Sequence, residues 1–161
     1  MGLSVANGMA LAGRARGLGY RVYVLLGDGE CQEGQVWEAA MTTAHHRIDN
    51  LTALVDRNQL QAMGPTEERM AVEPLAEKWR SFGWETLEAD GHDIGAICDA
   101  LDAAAEVKGR PPVIIARTVK GKGVSFMEGQ PGFHNAAITE DQFCAAVAEL
   151  EARLAALEAG S

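Results

Sequence analysis

Two short segments carry residue types that can do chemistry together. Gly27-Asp28-Gly29 follows an apolar run, and Asp56-Arg57-Asn58 follows another, with Asn58 thirty positions after Asp28. The glycines let a ligand approach the backbone closely, and a helix starting just after them offers free N–H groups to an anion such as a phosphate. Asp28 adds a hard carboxylate oxygen and Asn58 an amide oxygen. If the two runs are neighbouring strands, about 4.8 Å apart, both side chains reach one ion. Mg²⁺ takes oxygen ligands at about 2.1 Å, uses one or two protein groups, and shares the rest with phosphates and water. Gly-Asp-Gly by itself is common in tight turns. Its weight here comes from the strand before it, the helix after it, and Asn58 behind the next strand.

The elements that must position these residues alternate along the chain. A small-residue helix over residues 3–16 ends at Gly17 and Gly19. Residues 21–26 form an apolar run stopped by Gly27, and their length and composition predict a buried parallel strand. A helix over 35–46 carries Trp37, Ala40, Met41 and Ala44 at i, i+3, i+4 and i+7. The second strand spans 51–55, and a polar loop runs on through Gly64-Pro65.

Glu73-Pro74 opens a helix that Gly83 closes, with Leu75, Trp79 and Phe82 on its apolar face. A third strand covers 84–88, Asp93 caps a helix with Ile94, Ile97 and Leu101 aligned, and a fourth strand covers 112–117. A glycine-rich loop over 120–134 follows. Thr139-Glu-Asp-Gln142 reads as a capping box for a last helix over 139–161. That helix has a stripe of Phe143, Val147, Leu150, Leu154 and Leu157, expected to pack on the domain or on a neighbour. The order predicts a doubly wound α/β fold, a mostly parallel sheet with helices on both faces, which binds ligands at the carboxyl ends of its strands.

The segment from Gly27-Asp28-Gly29 to Asn58 resembles the thiamin-diphosphate motif, and the residues around it resemble transketolase. These are Glu30-Cys31-Gln32-Glu33-Gly34 with Trp37-Glu38-Ala39, then Asp56-Arg57-Asn58-Gln59-Leu60-Gln61 and Gly64-Pro65-Thr66-Glu67. Glu73-Pro74-Leu75 with Lys78-Trp79, Phe82-Gly83-Trp84, Asp90-Gly91-His92-Asp93 and the run from Thr118 to Glu128 extend the match. It covers nearly all the chain before Thr139. The set most resembles the amino-terminal subunit of split bacterial transketolases, whose cofactor-diphosphate and pyrimidine domains are separate chains.

The resemblance implies thiamin diphosphate with Mg²⁺, or Ca²⁺ in its place. It implies a pyrimidine-domain partner subunit in an α2β2-type or homo-oligomeric assembly. The reaction it implies moves a two-carbon ketol unit from a ketose phosphate to an aldose phosphate. At matching positions, Asp28 and Asn58 would ligate the metal by side chain and Leu60 by its backbone carbonyl. Gly27 and Gly29 would hold the diphosphate. Glu33 would lie at the subunit interface and help link the paired active sites. His134 would sit near the diphosphate and the reacting carbon, although the family's Trp-His-Gly is here Phe133-His134-Asn135.

Family members carry further chain before the segment that Met1 begins, and the pyrimidine domain with its cofactor-activating Glu lies elsewhere. Residues 1–161 are therefore expected to form a single partial cofactor-diphosphate domain, truncated at its amino end and inactive alone. Two alternatives stand beside this: a transketolase-like thiamin enzyme for another sugar or keto substrate, and a silent fragment that keeps the fold. The intact Asp28, Glu33 and Asn58 argue against decay.

Composition agrees with a cytoplasmic protein that binds neither nucleic acid nor membrane. Lys and Arg total 14 against 23 Asp and Glu, a net charge of -9, whereas a nucleic-acid binder presents a basic face. No apolar run approaches the roughly eighteen residues of a membrane span. The three Cys residues, 31, 98 and 144, have no CxxC spacing and suit reduced thiols. Cys31, beside the glycine turn, has a catalytic reading as well, but no Cys-His-acid pattern supports it.

Overall fold

A computed structural model describes residues 1–159. Three runs rich in Val, Ile and Leu and a more polar edge strand form one parallel sheet: Val22–Gly27 (β1), Leu51–Arg57 (β2), Pro112–Arg117 (β6) and, at the edge, Glu85–Asp90 (β5), in the order β1-β2-β6-β5. The register sets Gly27 beside Asp56, Asp56 beside Ala116, and Ala116 beside Ala89. The carboxyl ends of all four strands thus share one edge of the molecule. The doubly wound α/β expectation holds.

Strand alternation sends Val22, Val24 and Leu26 of β1, Leu51, Ala53 and Val55 of β2, and Val113 and Ile115 of β6 to one face. Helices Gly2–Ala15 (α1), Gly34–His45 (α2) and Leu75–Ser81 (α4) add Leu3, Val36, Leu75 and Trp79 to that core, and the connecting segments add Cys31, Ile48, Val72 and Trp84. The rings of Trp37 and Trp84 lie 5.2 and 4.9 Å from Trp79. On the opposite face, Ile94–Glu106 (α5) packs on β5 and β6 over the buried Ile114.

Small residues let α1 and α2 approach closely. Asn7 donates to the Ala39 carbonyl at 3.0 Å and accepts from Thr43 Oγ1 at 2.6 Å, locking the pair. A Cβ on Gly13 would come within 2.6 Å of the tip of the Tyr20 ring, so the glycine lets that ring lie close across the helix.

Several local expectations are met. Asp93 caps α5 by accepting from Ala96 N–H at 3.1 Å. Thr139 and Gln142 bond reciprocally, at 2.9 and 3.3 Å, before Glu140–Ala159 (α6). Gly83 closes α4 with φ +86°. Other expectations need correction. The buried side of α2 is Val36, Ala39, Ala40 and Thr43, whereas Met41 is exposed. The helix is rotated from the expected stripe because Asn7 and α1 engage the Thr43 side. The polar loop after β2 contains a two-residue hairpin, Leu60–Gln61 (β3) with Gly64–Pro65 (β4), and a single turn, Thr66–Arg69 (α3). In α6 Ala146 is buried and Val147 half-buried, while Phe143, Leu150 and Leu154 stand exposed, and Glu149 accepts from Ser125 of the preceding loop at 2.7 Å. Residues 160–161 of the expected helix lie outside the described residues. Among the described residues no helix is long and apolar enough to cross a membrane.

Candidate functional site

At the carboxyl ends of β1 and β2 the sheet opens into a cavity of about 590 Å³. Gly27, Asp28, Gly29, Glu33, Asn58, Leu60 and His134, the residues singled out in the sequence, all line it. Parallel pairing brings the strand-end positions together, and the 120–134 loop crosses over to deliver His134 and Lys120.

Asp28 directly follows β1 and caps the 3₁₀ turn Gly29–Gln32. It is 1% exposed. Its Oδ1 accepts from Gly29 N–H at 2.7 Å, and its Oδ2 from Gln59 N–H at 2.6 Å and Arg57 Nη1 at 2.8 Å. Asn58 Oδ1 accepts from Leu60 N–H at 3.0 Å, and its amide donates to Asp56 Oδ2 at 2.9 Å. Asp56 also accepts a short bond from the Thr118 hydroxyl, which ties β2 to the end of β6. Gly27 N–H donates to Glu30 Oε2 at 3.2 Å, so a carboxylate sits on the backbone donor expected to face phosphate. A Cβ on Gly29 would lie 3.1 Å from Gln61 Oε1, so the turn packs tightly against β3. Glu33, at the N-cap of α2, is exposed and makes no side-chain capping bond. His134 is exposed at the cavity rim.

The donor chemistry fits a hard cation. Asp28 Oδ1 and Asn58 Oδ1 each accept one N–H and retain a second lone-pair position. With the Leu60 carbonyl they make an all-oxygen set of the kind Mg²⁺ and Ca²⁺ take. No group of three or more His, Cys, Asp or Glu forms a metal site among the described residues, so the set rests on an amide and a carbonyl as well as one acid. The cavity lining also explains the need for a cation. Asp28, Glu30, Glu33 and Asp56 face it, against Lys120 and His134. An anionic ligand entering there meets net negative charge unless a divalent ion comes with it.

Two residues escaped the sequence reading. Lys120, which the sequence shows only as the start of the glycine-rich loop, lines the cavity. Arg57, quoted only as part of a motif, is 6% exposed and bonds Asp28, Thr66, Glu67 and Glu73. Burial works against its charge, but hydrogen bonds with Asp28 and Glu73 outweigh it and hold its pKa above the ordinary value. No local pattern reveals either role, since the partners lie far away in sequence. Cys31 is buried, and that burial, reinforced by Asp28 and Glu30, pushes its thiol up to about 12, away from the thiolate that a nucleophile needs.

The transketolase thiamine diphosphate binding domain matches residues 2–154. The chain belongs to the transketolase family. This transketolase domain is 47% identical over 150 residues to a 6-deoxy-6-sulfo-D-fructose transketolase subunit of Clostridium sp. (strain MSTE9), covering 93% of this chain and 54% of that protein. It is 42% identical over 157 residues to an apulose-4-phosphate transketolase subunit of Phocaeicola vulgatus, covering 98% and 56%. It thus spans about half the length of these curated relatives. The crystal structure of transketolase from Campylobacter jejuni superposes with a TM-score of 0.87 at 29% identity, over 93% of this chain and 24% of that one. The fold and the thiamine diphosphate domain type are therefore those of the family.

Proposed function

We propose that the domain forms the diphosphate and metal half of a thiamin-diphosphate site in a split transketolase, working with a pyrimidine-domain partner subunit. The observation that carries this reading is the convergence of Gly27, Asp28, Gly29, Asn58, Leu60 and His134 on one acidic cavity at the strand ends. Asp28 and Asn58, with the Leu60 carbonyl, would hold Mg²⁺ against the diphosphate. The N–H of Gly27 and the ammonium of Lys120 would face its oxygens, Gly27 N–H being freed as Glu30 swings aside, and Gly29 would let the diphosphate approach the backbone. His134, on the rim, would act on the sugar side. Glu33, exposed at the start of α2, would meet the partner and link paired sites. Thiamin diphosphate supplies the electron sink that lets a carbon–carbon bond beside a carbonyl break. The protein's share is grip, charge balance and orientation.

The relatives' names bear on the substrate. One is named for a sulfonated sugar and one for a sugar phosphate, so the donor proposed here is a ketose carrying a terminal phosphate or sulfonate. The test is calorimetric titration of the full chain, assembled with its pyrimidine-domain partner, using thiamin diphosphate with and without Mg²⁺. Binding is expected only with Mg²⁺ and is expected to be lost in Asp28→Ala. Wild-type affinity in that variant would overturn the metal assignment. A ketol-transfer assay of the assembled protein and of the chain alone completes it, with activity expected only in the assembly.

A further inference from the structure

Arg57 and Asp28 come from adjacent strands but from different chemistry. The first is a buried cation outside the cavity lining, the second a buried acid within it. Alternation along β2 turns Asp56 toward the cavity and Arg57 toward α4. From there Arg57 Nη1 reaches Asp28 Oδ2 at 2.8 Å and Thr66 Oγ1 at 3.0 Å. Its Nε and Nη2 both grip Glu73 Oε1, at 3.0 and 2.8 Å, and Nη2 also bonds Glu67 at 3.2 Å. The fork is thus fully used, and it fixes which carboxylate oxygen of Asp28 turns inward. Gln59 completes the cradle. It holds φ +64°, a left-handed conformation unusual for a side-chain-bearing residue, and from it donates its N–H to the same Oδ2.

We propose that Arg57 is a positioning residue for the metal-binding carboxylate. It holds Asp28 Oδ2 away from the cavity so that Oδ1 is presented to the cation. Through Glu67, Glu73 and Thr66 it also makes that geometry depend on the 66–73 segment being in place. Glu67 accepts from Val72 N–H at 3.1 Å and Glu73 from Leu75 N–H at 2.7 Å, so the acids that hold Arg57 are themselves anchored to that segment and to α4. The inference rests on the proposed metal role of Asp28 and extends it to how the ligand is held. Lys cannot replace Arg here, because an ammonium lacks the planar fork needed to bind Asp28 and Glu73 at once.

The test titrates Mg²⁺ at fixed thiamin diphosphate by calorimetry in the full chain assembled with its partner, and follows amide hydrogen exchange at Gln59 and over residues 66–73. Arg57→Lys is expected to raise the Mg²⁺ concentration for half-saturation by about 10- to 100-fold, as losing a residue that orients a metal ligand does. Cofactor affinity should return near wild type once Mg²⁺ saturates, and Gln59 should exchange faster. Glu73→Gln, which weakens two of the guanidinium bonds, should move Mg²⁺ half-saturation in the same direction by less. It also serves as the test if Arg57→Lys fails to fold. A lower melting temperature with unchanged Mg²⁺ half-saturation in the folded variants would mean a structural ion pair only and overturn the proposal. If Asp28→Asn binds cofactor with the wild-type Mg²⁺ requirement, the metal reading itself fails and this one with it. If Asp28→Asn loses Mg²⁺-dependent cofactor binding while Arg57→Lys keeps the wild-type Mg²⁺ half-saturation, only the positioning role fails.

Discussion

Leu51, Val55, Val113 and Trp79 meet on one side of the sheet under α1, α2 and α4, sealed from water. On the other side of the same sheet, Leu25 and Tyr23 of β1 are 70% and 53% exposed, because α5 packs mainly on β5 and β6. Parallel sheets normally bury both faces, so the contrast separates two jobs. The covered face carries the stability of the domain. The uncovered face borders the cavity, and its strand end contributes Asp56 to the lining. The two meet at the tips of β1 and β2, where Arg57 on the covered side grips Asp28 on the rim of the cavity.

The sharpest way to break that contrast is to hollow the covered face. Trp79→Ala should cost about 3–5 kcal/mol, the range for a buried aromatic, because Trp79 is fully enclosed and packs against the rings of Trp37 and, edge to face, Trp84. Denaturant unfolding measures it, and a loss under about 1 kcal/mol would mean the core packs elsewhere.

Thiol reactivity marks the same boundary. Cys31 belongs to the covered core and its thiol is pushed up to about 12, whereas Cys98 and Cys144 are exposed. Iodoacetamide at pH 8 followed by peptide mass spectrometry should modify Cys98 and Cys144 orders of magnitude faster. Cys31 should react only after unfolding, and early labelling there would show that the covered face opens.

Glu73 tests the junction by pH. Its carboxyl is held below the ordinary 4.5, first by Leu75 N–H and then, against the opposing effect of burial, by Arg57. A depressed acid contributes stability that is present above its unfolded pKa and disappears as pH falls through the folded value. Wild type should therefore melt above Glu73→Gln at neutral pH, and the gap should close as pH drops below about 4.5. A gap that persists at pH 3 would assign the difference to packing instead.

The smallest effects belong to the uncovered face. Leu25→Ala should change stability by no more than about 0.5 kcal/mol, while Leu51→Ala, one strand away and fully buried, should cost about 2–5 kcal/mol. Paired melts of the two variants check this. A large loss at Leu25 in the assembled protein would show that another chain segment seals this face there.

Much of this was legible in the residues themselves. Apolar runs ending in Gly27-Asp28-Gly29 and Asp56-Arg57-Asn58 identify two strand ends. A parallel sheet must align such ends, so the meeting of Asp28 and Asn58 followed from pattern alone. The capping bonds of Asp93 and Thr139 were equally readable, since each lies within three residues of its partner. Tertiary packing decided the rest. Period 3.6 shows that α2 has an apolar side, but the contact with Asn7 of α1 selects Thr43 over Met41 for burial. Nothing local says that Arg57 will reach sixteen residues on to Glu73 and twenty-nine back to Asp28, or that the 120–134 loop will bring Lys120 and His134 to the strand ends. Local sequence encodes periods and caps because their partners sit within a turn. Which distant groups meet depends on the closed sheet and its helices, where burial and mutual hydrogen bonding select one arrangement.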